Sequence, residues 1–201
     1  MSMIPCQRER FEIPRDVAYL NCAYMSPLAQ EVTAAIESGA ALKAAPWTYR
    51  PADFFAHTEA ARAHFAALAG GSADDFAVVP SVSYGLAVAA RNLPLRRGQE
   101  IVVLTDQFPS NLYVWREHAI ACGARIVTVK RDEGGAWTPA VLAAMGPDTG
   151  LVAVPNCHWA DGGLIDLEAV GTACRAAGAA LVLDPTQSLG ALPFDVARAQ
   201  P

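Results

Sequence analysis

The segment ALVLDPTQSLG, residues 180–190, decides the fold class of this chain. Four apolar residues lead directly into Asp184, whose nearest cationic neighbours in sequence are Arg175 before it and Arg198 after it. A continuous apolar run of this length is typical of a strand that is buried on both faces. Because burial disfavours the charged form of a carboxylate, Asp184 needs a partner at the end of that strand.

Similar apolar runs recur along the chain, with helical patterns between them. The runs are FAVV, EIVVL, RIVTV, LVAV and ALVLD, and the helical segments are SYGLAVAARNL, NLYVWREHAIACG, TPAVLAAMG and DLEAVGTACRAAG. Strands that alternate with helices indicate right-handed βαβ crossovers. The sequence therefore predicts the α/β class, with a mostly parallel open sheet and helices on both faces.

The first 70 residues have a different pattern, with helices prevailing. LAQEVTAAIESGAALKAA and ADFFAHTEAARAHFAALAGG have apolar residues at helical spacing, so each predicts a helix. Ser26 followed by Pro27 predicts the N-cap and first residue of the earlier helix. VAYLN, residues 17–21, predicts a short strand.

Composition excludes several classes of protein. The 201 residues are 53% hydrophobic with a net charge of -5, which supports a sizeable core and argues against disorder. The basic residues are scattered, so we expect no nucleic-acid partner. No apolar run is long enough to span a bilayer, and we expect no membrane association. Five cysteines without a CxxC pair predict reduced thiols and a cytoplasmic location.

Ligands of open α/β sheets bind beyond the carboxyl ends of the strands, so the residues after each run are candidates for function. In PSVSYG, residues 81–83 stand at a helix N-terminus that could hold a phosphate dianion. The alternative is an ordinary serine N-cap. In TDQFPSN, Phe108 could lie flat on a planar ligand. The alternative is a core aromatic.

The two later segments complete the pattern. In PNCHWADGG, His158 has no second histidine at ligand spacing, so we predict no metal and a hydrogen-bonded loop residue. In DPTQS, Asp184 could bind a protonated pyridine nitrogen and Gln187 the edge of the same ring. The alternative is that Asp184 caps the turn that follows it. A ring over Asp184, a phosphate at residues 81–83 and a stacked Phe108 together describe pyridoxal 5'-phosphate (PLP).

From residue 17 to residue 196 the chain resembles the class V aminotransferase family of fold-type I PLP enzymes. This family includes cysteine desulfurases, selenocysteine lyases, kynureninases and isopenicillin N epimerase-like proteins. The segments that carry the resemblance are VAYLNCAYMSPL, VVPSVSYGL, TDQFPSNLYVW, HWADGGLIDLEAV and LVLDPTQSLGALPFDV. The last resembles the family's D-x-x-Q-S-x-G signature and is the most specific.

The resemblance implies roles for five residues. Val82 and Ser83 bind the cofactor phosphate, and Phe108 stacks on the ring, as a phenylalanine does in kynureninases. Asp184 and Gln187 contact the ring, and Asp184 is the catalytic residue that tunes its electronics. Tyr24 and Trp159 are candidates for the substrate side, and the alternative for each is a structural role.

The resemblance also implies a lysine that this chain does not have in the expected place. In the family, the Schiff-base lysine follows on the strand after the D-x-x-Q segment, whereas the lysines here are Lys43 and Lys130. We therefore expect an N-terminal segment with helices in residues 1–70, an incomplete PLP-binding large domain in residues 71–201, and no C-terminal small domain. We expect negligible activity from this chain alone and a homodimer in the full-length protein.

Three functions are compatible with these patterns. The first is a PLP-dependent enzyme that acts on a small amino-acid substrate by transamination, desulfuration, side-chain cleavage or epimerisation. The alternative is a non-catalytic remnant that binds PLP weakly or only assembles with a partner chain. A nucleotide-binding domain is the least favoured, because the sequence contains neither GxGxxG nor GxxxxGK[ST].

Overall fold

The computed structural model of the chain describes residues 5–22, 25–131 and 134–201. The backbone forms two compact units, Met1–Thr58 and Glu59–Pro201. The division at residue 70 that the sequence predicts concerns the domains of a whole enzyme, and it stays a prediction.

The first unit is helical. It contains α1 (Gln30–Leu42) and the beginning of α2 (Asp53–Ala69). The strand predicted for residues 17–21 is absent, because the described residues offer that segment no pairing partner. The N-cap predicted at Ser26 is also wrong. The backbone is still extended at Ala29, with a ψ of 149°, so α1 begins only after that residue.

The second unit is built on a parallel sheet. Its described strands are β1 (Glu100–Leu104), β2 (Arg125–Val129), β3 (Thr149–Pro155) and β4 (Ala180–Asp184). Their order in the sheet is β2-β1-β3-β4, and every neighbouring pair is parallel. All seven residues of β3 are buried, as expected of a central strand that is covered on both faces. The runs EIVVL, RIVTV, LVAV and ALVLD are therefore strands.

Helices cover both faces of the sheet. These are α3 (Val82–Asn92), α4 (Ser110–Cys122), α5 (Trp137–Ala144), α6 (Leu167–Ala177) and the short α7 (Val196–Ala199). Alternate strand residues point to opposite faces, and two separate cores result. Residues of α3 and α4 pack on one face, and residues of α5, α6 and α7 pack on the other. The predicted fold class is confirmed. No helix in the described ranges is both long and apolar enough to cross a bilayer.

The first predicted strand, FAVV at residues 76–79, does not form. Phe76 has extended dihedral angles, but no described strand pairs with this segment. Val78 is 65% exposed, so the run lacks the burial that a strand inside an open sheet requires. An apolar run alone was insufficient here, because a strand also needs a neighbour to complete its hydrogen bonds.

The order of the strands creates one crevice at the carboxyl edge of the sheet. The chain runs outward from β1 to β2 and then returns past β1 to β3 and β4. The direction of winding therefore reverses between β1 and β3, and loops that leave such a pair of strands separate to form a ligand crevice. The residues that follow Leu104 and Pro155 flank this point, and Asp184 ends the next strand, in register with Pro155.

Candidate functional site

Asp184 lies at the carboxyl end of β4 and is 6% exposed. Its Oδ1 accepts two hydrogen bonds from Thr186, from the hydroxyl at 2.5 Å and from the backbone N–H at 3.3 Å. Among the described residues, none donates a hydrogen bond to Oδ2, and no arginine or lysine forms an ion pair with this carboxylate. One oxygen thus caps the following turn, and the other is left for a donor that the described residues do not supply.

Asp184 and the start of α3 line one groove. The groove has a volume of about 560 Å³, and besides Asp184 it is lined by Val82, Gly85, Pro185 and Thr186, with apolar side chains on its walls. The first amides of a helix have no partner inside it and attract anions. In the part of the chain described, the amides of Val82 and Ser83 donate no hydrogen bond. The groove therefore joins a carboxylate to a helix N-terminus.

The N-cap of α3 has the ordinary form that the sequence also allowed. The hydroxyl of Ser81 accepts a hydrogen bond from the Tyr84 amide at 3.2 Å. Ser83 is exposed, and its side chain makes no hydrogen bond with a described residue. The hydroxyl of Ser81 is thus used by the helix itself, whereas that of Ser83 is accessible to a ligand.

Phe108 and Trp159 meet across the crevice between β1 and β3. Phe108 follows β1, and Trp159 follows β3. Their rings are perpendicular, with centroids 5.4 Å apart. The indole N–H of Trp159 donates to the carbonyl of Asp106 at 2.6 Å. His158 is 2% exposed, and its Nε2 lies 3.2 Å from the carbonyl of Thr105. His158 is thus a hydrogen-bonded loop residue, as its sequence context suggested.

A cluster of polar side chains supports the loop after β3. Asp161 accepts hydrogen bonds from Arg131 at 2.8 Å, from the Gly163 amide at 2.7 Å and from Trp137 at 3.4 Å. Burial opposes ionisation of Asp161, but these donors outweigh it and lower its pKa to about 2. The Nδ1 of His158 lies 3.3 Å from the same carboxylate, outside hydrogen-bond geometry. The carboxylate of Asp161 is therefore ionised, and its ion pair with Arg131 joins the loop after β3 to the loop after β2.

Three buried polar atoms at this edge of the sheet have no hydrogen-bond partner among the described residues. They are Oε1 of Gln107, Nδ2 of Asn111 and Nδ1 of His158. Gln107 does donate from Nε2 to the carbonyl of Ala153 at 3.5 Å. Unpartnered buried polar atoms are rare in folded proteins, and each of these three can still take a hydrogen-bond partner. All three belong to the segments that follow β1 and β3, so they concentrate where a ligand of this fold binds.

The structure thus brings the predicted residues together in two groups. Val82 and Asp184 line the groove beside α3, and Phe108 and Trp159 form the aromatic pair. Gln187 is half-buried and makes no side-chain hydrogen bond in the described ranges. Tyr24 lies outside the described residues. No cluster of three or more potential metal ligands occurs in the described part of the chain.

Three polar residues of this edge, Gln107, Asn111 and Arg131, were not predicted as site residues. Gln107 and Asn111 lie in the segment that follows the buried strand β1, and polar residues after the carboxyl end of such a strand are a usable signal. The pairing of Arg131 with Asp161 spans 30 residues and has no local signature.

An open parallel sheet with a polar crevice at its switch point, and an acid at the next strand end, is the arrangement in which α/β proteins bind their ligands. The chain belongs to the class V aminotransferase family, whose model, described as Aminotransferase class-V, matches residues 19–200. The resemblance found from the sequence motifs is confirmed. The cofactor of class V aminotransferases is PLP, so the predicted cofactor is also confirmed.

Two curated relatives agree with this assignment, and a solved structure shares the fold. Over 140 residues the chain is 34% identical to an uncharacterized aminotransferase, YcbU, of Bacillus subtilis, with 69% of this chain and 37% of that protein covered. It is 30% identical to a probable cysteine desulfurase of Methanothermobacter thermautotrophicus, with 68% and 34% covered. The structure of a C-DES variant with glycine covalently linked to its PLP cofactor superimposes with a TM-score of 0.82 at 19% identity, with 97% and 53% covered.

These comparisons differ in what they show. The likeness to the C-DES structure shows a shared fold, because the sequence identity is low. The chain spans about a third of the length of the two curated relatives and about half of the solved structure.

Proposed function

We propose that this chain is the cofactor-binding part of a PLP-dependent enzyme that acts on a small amino acid. The observation that carries the proposal is Asp184, a buried carboxylate with one oxygen free of protein donors, in the groove that also contains the start of α3. A buried carboxylate is strongly stabilised by a cationic hydrogen-bond donor, and the N–H of a protonated pyridine is such a donor. The residues present therefore fit the cofactor of the family.

Each predicted residue has a role in this proposal. The amides of Val82 and Ser83 and the Ser83 hydroxyl bind the phosphate at the N-terminus of α3. Phe108 packs against the face of the ring, and Gln187 donates to its edge. Asp184 holds the positive charge on the ring nitrogen.

When bound, the cofactor supplies an electron sink for negative charge that develops on the substrate. The contribution of Asp184 is electrostatic, because its buried carboxylate keeps a proton on the ring nitrogen. The walls of the groove are largely apolar, so they lower the polarity around this ion pair and strengthen it. Trp159, at the mouth of the crevice, and Tyr24 are proposed to face the amino acid.

The proposed reaction is transamination, desulfuration, side-chain cleavage or epimerisation. We propose further that this chain lacks the lysine that binds the cofactor covalently. Lys130 follows β2 at the edge of the sheet away from β4, and Lys43 ends α1. Turnover by this chain alone is then expected to be negligible. A homodimer and a cytoplasmic location remain proposals of the same kind.

The positions of the two lysines also favour a second candidate, a non-catalytic protein that binds PLP without turnover. Borohydride reduction in the presence of PLP, followed by peptide mass spectrometry, separates the two candidates when it is done on the longest product of the locus. A covalent cofactor adduct on one specific lysine supports the enzyme. Scattered adducts, or none, support the second candidate.

The central test is the variant Asp184→Asn, which keeps the shape and removes the charge. Truncating one partner of a buried charge pair costs roughly 2–5 kcal/mol, so we expect at least ~30-fold weaker PLP binding. Binding is measured by the change in cofactor absorbance and by equilibrium dialysis. The control is Asp148→Asn, which removes the same charge from an exposed residue just before β3. Equal PLP affinity in the two variants would refute the role of Asp184.

A further inference from the structure

Two adjacent side chains after β3 hold two adjacent carbonyls after β1. The Nε2 of His158 lies 3.2 Å from the carbonyl of Thr105, and the indole N–H of Trp159 donates to the carbonyl of Asp106 at 2.6 Å. A carbonyl only accepts hydrogen bonds, so Nε2 of His158 carries the proton. Each of these contacts joins residues 53 positions apart in sequence. Together they form a clamp between the two loops of the crevice.

The clamp acts on an unfavourable backbone conformation. Asp106 has a φ of 50°, and Gln200 is the only other non-glycine residue in the described ranges with a positive φ. An L-residue in this left-handed region persists when its surroundings hold it there. The carbonyl that Trp159 binds belongs to Asp106 itself, so this hydrogen bond fixes the strained residue directly.

Phe108 follows two residues after Asp106 and is not fixed by burial. Its side chain is 37% exposed, and that of Trp159 is 47% exposed. The perpendicular contact, with centroids 5.4 Å apart, places the edge of one ring against the face of the other. A half-exposed aromatic ring otherwise changes rotamer readily. Trp159 therefore restrains both the backbone before Phe108 and the ring of Phe108.

We propose that Trp159 is a positioning residue of the cofactor site, which sets the plane of the Phe108 ring through the edge contact and the hydrogen bond to Asp106. The inference rests on the proposed function, because it assigns the purpose of this restraint to the stacking of Phe108 on PLP. His158 has a supporting part, since it holds the preceding carbonyl and stacks on Trp137, with centroids 4.9 Å apart. Trp159 acts through Phe108 and Asp106, so removing it should disturb PLP binding only when Phe108 is present.

The first experiment uses the chain without cofactor and measures hydrogen exchange in the peptide that covers residues 104–112. For Trp159→Leu we expect roughly fivefold faster exchange in this peptide, comparable to the loss of one hydrogen bond. Trp159→Phe keeps an aromatic ring and loses the N–H donor, so its exchange should be intermediate. Trp47→Leu is the matched control, because Trp47 is 81% exposed in the other unit. Unchanged exchange in Trp159→Leu would overturn the clamp.

The second experiment is a double-mutant cycle on the PLP dissociation constant. In the chain that retains Phe108, Trp159→Leu should weaken PLP binding by about fivefold and reduce the induced circular dichroism of the bound cofactor. In the background of Phe108→Leu, the same change should have less than about a twofold effect, because coupled residues are non-additive. Equal effects in both backgrounds would overturn the positioning role. Far-ultraviolet circular dichroism of each variant verifies that it is folded.

The two experiments separate this inference from the proposed function. If the unaltered chain fails to bind PLP, the proposed function fails, and the assignment of the clamp to PLP fails with it. The exchange result still decides whether Trp159 holds the loop, because it is obtained without PLP. If PLP binds normally and the cycle is additive, the proposed function stands and only the positioning role is wrong.

Discussion

At the scale of single residues, Asp161 shows how a loop carboxylate becomes a structural anchor. It receives hydrogen bonds from Arg131, Trp137 and the Gly163 amide, and its pKa falls from 3.8 to about 2 although burial opposes the charge. The loop that carries Trp159 is therefore held by a carboxylate that is ionised at every physiological pH. Asp161 thus helps to hold Trp159 in place against Phe108.

The depressed pKa of Asp161 predicts a stability change in acid. The unfolded chain takes up a proton near pH 3.8, whereas the folded chain resists until about pH 2, so this stabilisation is complete above pH 3.8 and is lost as the pH falls through that window. Its size is about 1–2 kcal/mol, because solvent screens a carboxylate that is 31% exposed. We expect Asp161→Asn to lose that amount at neutral pH and to show a flatter decline below about pH 4.

The measurement is urea unfolding at neutral pH and at two acidic pH values. Asp148→Asn is the control, since Asp148 is 65% exposed and its nearest arginine nitrogen is 3.6 Å away. A change below ~0.5 kcal/mol is expected for an exposed pair of this kind. The same pH dependence in Asp161→Asn and in the unaltered chain would contradict the role of Asp161.

Asp184 could be identified from the sequence, but the hydrogen bonds of its two carboxylate oxygens could not be predicted. A charged residue directly after an apolar run is a local signal, and two alternatives followed from it, a ligand partner and a turn cap. Both are compatible with the geometry, because Oδ1 caps the turn at Thr186 and no described residue donates to Oδ2. The link between Trp159 and Asp106 was beyond prediction, since it depends on a positive φ and on a contact across 53 residues.

At the scale of elements, α6 depends on a glycine where α7 approaches it. A Cβ on Gly171 would overlap the carbonyl oxygen of Ala199, and it would also crowd Arg175. The Arg175 guanidinium donates to the same carbonyl at 3.3 Å, so the two elements are joined at this point. Close packing of this kind is sensitive to a single added methyl group.

We predict that Gly171→Ala destabilises the protein by about 1–3 kcal/mol, because α7 must move to accommodate the methyl group. The matched control is Gly39→Ala in α1, where a Cβ would meet nothing within 4 Å. Alanine has the higher helix propensity, so the control should gain about 0.5–1 kcal/mol. Thermal and urea unfolding measure both. A gain in Gly171→Ala as large as that of Gly39→Ala would show that α7 does not restrict α6.

Most helices and strands could be predicted from the sequence because their signals are local. The four described strands are continuous apolar runs, and α6 begins after Asp166, whose carboxylate accepts hydrogen bonds from the amides of Glu168 and Ala169. The run at residues 76–79 failed because apolar residues do not specify a pairing partner. The short helix α7 was not predicted, since four residues carry no periodic pattern.

At the scale of the whole molecule, the cysteines differ in how they report on unfolding. Cys174 lies in the core beneath α6, is fully buried, and has a pKa that burial raises to about 11. Only the thiolate is nucleophilic, so Cys174 is protected by exclusion of reagent and by its protonation state. Cys6 and Cys22, in the first unit, are exposed.

We expect a maleimide to modify Cys6 and Cys22 rapidly in native buffer and to modify Cys174 only when the second unit unfolds. Peptide mass spectrometry across a urea series gives the extent of modification at each thiol. The midpoint for Cys174 should coincide with the unfolding midpoint from circular dichroism. Modification of Cys174 at the rate of Cys22 without urea would show that this core opens locally.

The parallel sheet also constrains the order in which the chain can acquire its structure. Ile101 pairs with Leu151, so β1 and β3 join residues that are distant in sequence. The chain loses conformational entropy when this loop closes, before the contacts between the strands compensate for the loss, and folding is therefore slow. During synthesis, β1 and β2 can pair first, but the inner edge of β1 stays open until the ribosome has released β3. The nascent chain therefore exposes an unpaired, aggregation-prone strand edge while about fifty codons are translated, an interval of several seconds.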